Sequence, residues 1–268
     1  HDSDALRRLQ QASEPPRQEL LRRLNMAPGG TAALVGMRAF LLDVLPEQPQ
    51  LRNVDADFQH LLGSWFNRGF LRLERIDWNT PAAILEKLIR YEAVHPMSGW
   101  ADLRRRLGPD RRCFAFFHPA LPQDPLIFVE VALTNETAST IAPLIDPDAP
   151  EFNTQQADSA VFYSINNTLR GLRGVSFGNF LLKQVVSELA NEMPGITTFV
   201  TLSPIPRLRQ GLSSMGDQAI LHRVLGEQSD ALCDAGKCDN PIDALQIILQ
   251  KPLNERDRKL LAPALQSL

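Results

Sequence analysis

The sequence has 268 residues, 44% of them hydrophobic and 22% charged, with a formal net charge of −3. That length fills one large or two ordinary globular cores, and the small negative charge excludes the broad basic field that captures nucleic acid. No apolar run approaches the roughly 18 residues of a membrane span, the opening HDSDALRRLQQ lacks a secretory core, and an odd count of three cysteines points to reduced thiols in the cytoplasm.

The chain starts with histidine rather than methionine, so its ends are read as those of a fragment. From residue 2 to about 95 the pattern is helical, punctuated by Pro15-Pro16, Pro28-Gly29-Gly30 and the stretch from Pro46 to Pro49. Phe58, Leu61, Leu62, Trp65 and Phe66 recur at the spacing of one helix face. Thr80 is placed as an N-cap with Pro81 in the first turn, ahead of an apolar stripe of Ile84, Leu85, Leu88 and Ile89. Such stripes serve an intramolecular core or association between copies of the chain, and the helical segment is assigned a homo-oligomeric contact.

After Trp100 the pattern changes. CFAFFH (113–118), LIFVEVALT (126–134) and AVFYSINN (160–167) are aromatic and β-branched runs that read as strands. A glycine-punctuated turn follows, then an amphipathic helix over 180–193 that Pro194-Gly195 ends, then a strand over 196–203 closed by Pro204 and Pro206. A strand, helix and strand in succession predict a parallel crossover, with both strand ends on one edge of the sheet. Beyond Arg207 the segments are helical again. Cys233 and Cys238 with His222 lack the spacing of a zinc site, and no metal is expected.

The turn RGLRGVSFGNFLLK (170–183) places glycines at 171, 174 and 178 between a strand and a helix start, where free N–H groups and the helix dipole favour an anion. Glycines there also serve the turn alone, and Arg170, Arg173 and Lys183 also read as a solvated face. The turn has neither the Gly-Lys-Ser/Thr ending of a triphosphate loop nor Gly-x-Gly-x-x-Gly spacing, which leaves coenzyme A as the common diphosphate. Ser203 lies at the end of the next strand, as a substrate hydroxyl or as a cap before two prolines. Ser164 and Asn166 share one strand face by alternation, to hydrogen-bond substrate or to meet solvent. His95 and His118 precede prolines and read as turn residues. Arg104 to Arg106, with Arg111 and Arg112, read as a solvated face rather than a seat for the 3′-phosphate.

Four blocks, YEAVHPMSGW (91–100), LGPDRRCFAFFH (107–118), AVFYSINNTLRGLRGVSFGNFLLK (160–183) and TLSPIP (201–206), resemble in that order those of the malonyl-CoA decarboxylase family. The glycine turn is also similar to the pyrophosphate loop of the N-acetyltransferase-like superfamily. The resemblance implies an α+β protein: an all-helical domain over 1–95, then an N-acetyltransferase-like mixed-sheet domain over 96–268 that is truncated at its C-terminus. It implies malonyl-CoA as partner, decarboxylation to acetyl-CoA and carbon dioxide, and no separate cofactor, coenzyme A being part of the substrate. By resemblance Arg173, Gly174, Val175, Ser176, Phe177, Gly178 and Asn179 match the coenzyme A loop, and Ser203 matches the catalytic serine. Ser176 departs from relatives with an acidic residue there, and the role of that acid does not transfer. The family's catalytic histidine lies downstream of where this chain ends; His222, in AILHRVL, does not match its block, so these residues alone are expected to be nearly inactive. Two other readings stand beside this one. An acyl-CoA-dependent N-acyltransferase shares the cradle, but the SPIP serine argues against it, and a non-catalytic helical interaction protein predicts no coenzyme A affinity.

Overall fold

Three helices open the chain: α1 (Pro16–Asn25), α2 (Gly30–Val44) and α3 (Arg52–Trp65). They belong to a computed structural model that describes residues 4, 15–138, 140–177, 180–204, 228–249, 254–257 and 259–261. Pro16 suits the first turn of α1 because its missing donor costs nothing there. Gly29, at φ +72°, breaks the chain between α1 and α2, and a Cβ on Gly30 would stand 2.1 Å from Leu24 O, so the two helices cross at glycine. The α3 stripe is buried as its spacing predicts, with Phe58, Leu61, Leu62 and Phe66 at most 4% exposed.

The stretch 1–95, expected to be wholly helical, contains a strand: β1 (Arg72–Ile76) pairs antiparallel with β2 (Arg111–Phe117), from Arg72 opposite Phe117 to Ile76 opposite Cys113. Its sequence, RLERI, is rich in charge, as suits a sheet edge, and its apolar positions three apart fit a helix equally well. Pairing with a partner some 40 residues away decides the matter, and local spacing cannot show it. Helix α4 (Ala82–Tyr91) buries Ile84, Leu85 and Leu88, but Thr80 does not cap it; its Oγ1 accepts from Asp77 N at 3.0 Å instead.

Helix α5 (Trp100–Arg106) leads into β2, β3 (Ile127–Thr134), the short α6 (Ala142–Ile145) and β4 (Ser159–Asn167). Then come α7 (Phe180–Glu192) and β5 (Thr198–Thr201). The strands lie in chain order; the first four pair antiparallel, and β5 pairs parallel with β4 across α7, as the crossover predicts. One face of the sheet presents Phe114, Phe116, Val129, Val131 and Phe162 to α1–α3 and α7. The other presents Cys113, Ala115, Phe117 and Phe128 to α4 and α5. Cover on both faces explains why β2 and β3 read as unbroken apolar runs.

The chain divides into two units between Ser203 and Pro204. In the second, α8 (Gln228–Gly236) and α9 (Pro241–Leu249) pack through Leu232, Ala244, Leu245 and Ile248, and a Cβ on Gly236 would stand 2.5 Å from Ala244 Cα. Among the described residues no helix is long and apolar enough to cross a membrane.

Candidate functional site

Strand β4 outruns its parallel partner. The last registered pair is Phe162 with Thr201, and Leu202 N donates to Phe162 O at 2.8 Å. Beyond it Ser164, Ile165, Asn166 and Asn167 pair with β3, Tyr163 being skipped at a bulge, and none of these pairs with a β5 residue among the described residues. Extending the register by two residues brings Ser203 level with Ser164. Ser203 is exposed there.

At the far end of β4, Thr168 Oγ1 donates to Pro125 O and the chain enters a 3₁₀ turn at Arg170–Leu172. Along a strand the four residues from Ser164 to Thr168 span roughly 13 Å. Gly174, at φ +81°, then reverses the backbone in a conformation few side chains tolerate. Among the described residues the N–H groups of Gly174, Ser176 and Phe177 donate to no protein acceptor, the condition an anion-binding turn requires. A cavity of about 320 Å³ opens here, lined by Asn167, Thr168, Arg170, Arg173, Gly174 and Phe177. Of the loop residues named from sequence, Arg173, Gly174 and Ser176 are exposed, Phe177 is half-buried and Val175 is buried, while Gly178 and Asn179 lie outside the described residues. Arg170 is ion-paired with Asp43, and Lys183 is exposed on α7.

The turn is fastened from behind by the N-terminal helices. Arg38 on α2 is 2% exposed; its Nη1 donates to Gly171 O and Arg173 O, each at 2.8 Å, and its Nε donates to Asp55 at 2.9 Å. Gln59 on α3 adds a bond to Gly174 O at 3.1 Å. A Cβ on Gly171 would stand 2.0 Å from Val35 O, so only glycine permits this approach of turn to helix.

Ser164 and Asn166 do share a face, but they turn into the protein, 1% and 3% exposed. Both donate to Glu92 Oε2 at 2.7 Å, and Asn166 also donates to Ser164 Oγ. Glu92 Oε1 accepts from Val94 N and His95 N. Arg106 lies 3.9 Å from Glu92 and donates to Glu130 Oε2 at 2.8 Å and to His95 O at 2.7 Å. Burial pushes the Glu130 carboxyl up to about 7, against the pull of Arg106 and with a push from Glu92. The Tyr163 hydroxyl is near enough to lower it slightly, although neither that hydroxyl nor Glu130 Oε1 has a hydrogen bond of ordinary geometry. Glu92 and Glu130 were not singled out from sequence; the signal for Glu130 is a lone acid inside the apolar run LIFVEVALT.

The arginine run is not a solvated face. Arg105, Arg106 and Arg111 are buried. Arg105 grips Asp110 through two bonds of 2.7 and 3.1 Å, and Arg111 meets the same carboxylate at 2.8 Å. Arg104 lies over the Trp78 ring, and Arg112 pairs with Glu192. None of the buried three is free to meet a phosphate. His95 and His118 hold turns as expected: His95 Nε2 is 3.1 Å from Tyr163 O, and Ala120 N donates to His118 Nδ1 at 3.1 Å. Burial, the largest influence on each, lowers the basicity of both rings. Among the described residues no group of three or more His, Cys, Asp or Glu side chains is arranged to hold a metal.

Residues 1–66 match the family model of the malonyl-CoA decarboxylase N-terminal domain, and residues 69–266 match that of its C-terminal domain. The chain is 41% identical over 206 residues to mitochondrial malonyl-CoA decarboxylase of Rattus norvegicus, a match that takes in 74% of this chain and 42% of that protein. The crystal structure of malonyl-CoA decarboxylase from Rhodopseudomonas palustris is similar at a TM-score of 0.81 and 48% identity, over 98% of this chain and 62% of that one. The Agrobacterium vitis malonyl-CoA decarboxylase gives 0.77 and 49%, over 91% and 61%. The chain thus spans less than two thirds of the relatives it matches.

Proposed function

Because the chain belongs to the malonyl-CoA decarboxylase family, we propose that it binds malonyl-CoA at the β4 turn and takes part in its decarboxylation to acetyl-CoA and carbon dioxide. In that reaction the bond from the malonyl α-carbon to its carboxylate breaks, the electron pair passes into the thioester carbonyl as an enolate, and a proton then joins the α-carbon. The chemistry calls for a cradle, hydrogen bonds to the anions and a positioned acid, with no metal or organic cofactor. The N–H groups of Gly174, Ser176 and Phe177 take the pyrophosphate, with Arg173 beside them. The pantetheine arm runs back along the half of β4 that has no β5 partner among the described residues. Ser203 donates to the malonyl carboxylate or to the enolate oxygen. Ser164 and Asn166 act on the substrate by holding that stretch of β4 in shape through Glu92. Neither His95 nor His118 is cast as the acid, since each is tied into a backbone turn.

The observation that carries this reading is the half of β4 that has no β5 partner among the described residues, with a glycine turn whose N–H groups are unpaired among those residues at one end and a hydroxyl level with the other. Ligands of mixed and parallel sheets bind at strand C-terminal ends in this way. Association of copies through the N-terminal helices is supported by the exposed Leu20, Met37 and Phe40. A cytoplasmic location is supported by the free thiols of Cys113, Cys233 and Cys238. The test is calorimetric titration with malonyl-CoA, followed by incubation without any amine acceptor while acetyl-CoA and carbon dioxide are measured. Binding by this chain, with release of both products by a C-terminally extended one, supports the proposal. Absence of binding refutes it, and release of an acyl group only when an amine is added assigns the fold to acyl transfer.

A further inference from the structure

We infer that Arg38, on the second N-terminal helix, is a positioning residue for the coenzyme A turn, so that the helical segment forms the back wall of the binding site. The inference deepens the proposed function and rests on it for the identity of the ligand. It stands on the two carbonyls that one guanidinium nitrogen holds: both hydrogens of Arg38 Nη1 are spent, one on Gly171 O and one on Arg173 O. Asp55, bonded to Nε, fixes the plane of the fork.

The consequence follows from peptide geometry. A trans peptide unit is planar and points its C=O and N–H in opposite directions. Drawing the Arg173 carbonyl inward to α2 therefore turns the Gly174 N–H outward, away from the helix. That N–H has no acceptor among the described residues. Gly174 itself accepts from Gln59 through its own carbonyl, and the N–H of that next peptide unit, Val175, closes the turn on Leu172 O at 2.9 Å. Two side chains from α2 and α3 thus fix the turn from behind, Arg38 aiming the Gly174 amide outward and Gln59 holding the peptide unit after it, and neither touches the ligand. A lysine at position 38 keeps the charge but offers donors on one compact ammonium, which does not reproduce a planar fork reaching a carboxylate and two carbonyls at once.

The test compares Arg38→Met, Arg38→Lys and a control, Leu21→Ala, which removes buried apolar contact from α1, a helix that packs on α2 and α3. Two readouts are taken: Kd for coenzyme A by calorimetry, and amide hydrogen exchange of the 171–177 peptide against that of β3. Arg38→Met should raise Kd by roughly tenfold or more, since about 1.4 kcal/mol corresponds to tenfold, and should speed exchange in the turn but not in β3. Arg38→Lys, which keeps the buried charge and the fold, should fall between Arg38→Met and the parent. Leu21→Ala should lower the melting temperature and leave Kd within roughly twofold. Parent-like Kd and exchange in either Arg38 variant overturn the inference, as does a loss of affinity in Leu21→Ala equal to that in Arg38→Met. If the parent protein itself fails to bind coenzyme A, the functional reading falls, and the exchange comparison still decides whether Arg38 sets the turn.

Discussion

Replacing Glu130 by glutamine should change how stability responds to pH. The side chain is buried, its carboxyl stands at about 7 against an ordinary 4.5, and Arg106 is bonded to it. Because the folded value lies above the unfolded one, the folded protein holds a proton that the unfolded chain releases as pH climbs from about 4.5 to about 7. Stability from this group is complete below that window and is lost through it. The gap corresponds to roughly 3 kcal/mol, of which roughly 2 to 3 kcal/mol falls between about pH 5 and 8. Glutamine has the same shape and does not titrate. Asp110 and Glu192 are held below their ordinary values, burial opposing the effect and arginine partners outweighing it, so their contribution runs the other way and is lost on acidification. Those groups are common to both proteins and cancel in the difference. Urea unfolding of parent and Glu130→Gln at the two pH values measures it: whatever constant offset the amide brings, the variant should gain roughly 2 to 3 kcal/mol on the parent as pH rises. A difference flat to within about 0.5 kcal/mol would refute the buried, proton-holding carboxyl.

Three further changes probe the turn and the serine. Gly171→Ala drives a Cβ toward Val35 O and should cost about 1–3 kcal/mol in thermal unfolding; a parent-like melting temperature would contradict the close approach. Gly174→Val places a β-branched residue at φ +81° beside Gln59 Nε2 and should weaken coenzyme A binding by calorimetry; undiminished affinity in a folded variant would remove the turn from the site. Ser203→Ala, at an exposed position, should shift stability by no more than about 0.5 kcal/mol while lowering decarboxylation by a complete enzyme, and full turnover would refute its assignment.

Features with a local cause were legible in the sequence. The α3 stripe, the runs that became β2, β3 and β4, and the parallel β4–α7–β5 crossover follow from periodicity and chain order. What was illegible depends on partners distant in sequence. RLERI becomes a strand because β2 is there to pair with it. Arg105, Arg106 and Arg111 read as surface because arginine is rarely buried, and only the fold brings Asp110, Glu130 and Leu144 O to them. Ser164 and Asn166 were placed on one face by alternation, but which way that face looks was set by Glu92, more than 70 residues upstream. Arg38 carried no local signal, since its two carbonyl partners lie 133 and 135 residues away.

Those separations bear on how the protein is made. Synthesis at about 5 to 20 residues per second releases α2 first and Arg173 roughly 7 to 27 seconds later, so Arg38 Nη1 stays in water for that time before its two carbonyls arrive. Meanwhile Leu34, Val35 and Leu41 on the same helix, buried in the finished fold, have no sheet to cover them. The nascent helices therefore carry apolar surface that stays uncovered until the sheet is made, which exposes them to aggregation in that interval. A variant that loosens Arg38 should show this as lower soluble yield at high expression rates, recovered by slowing translation or by co-expressing a holdase.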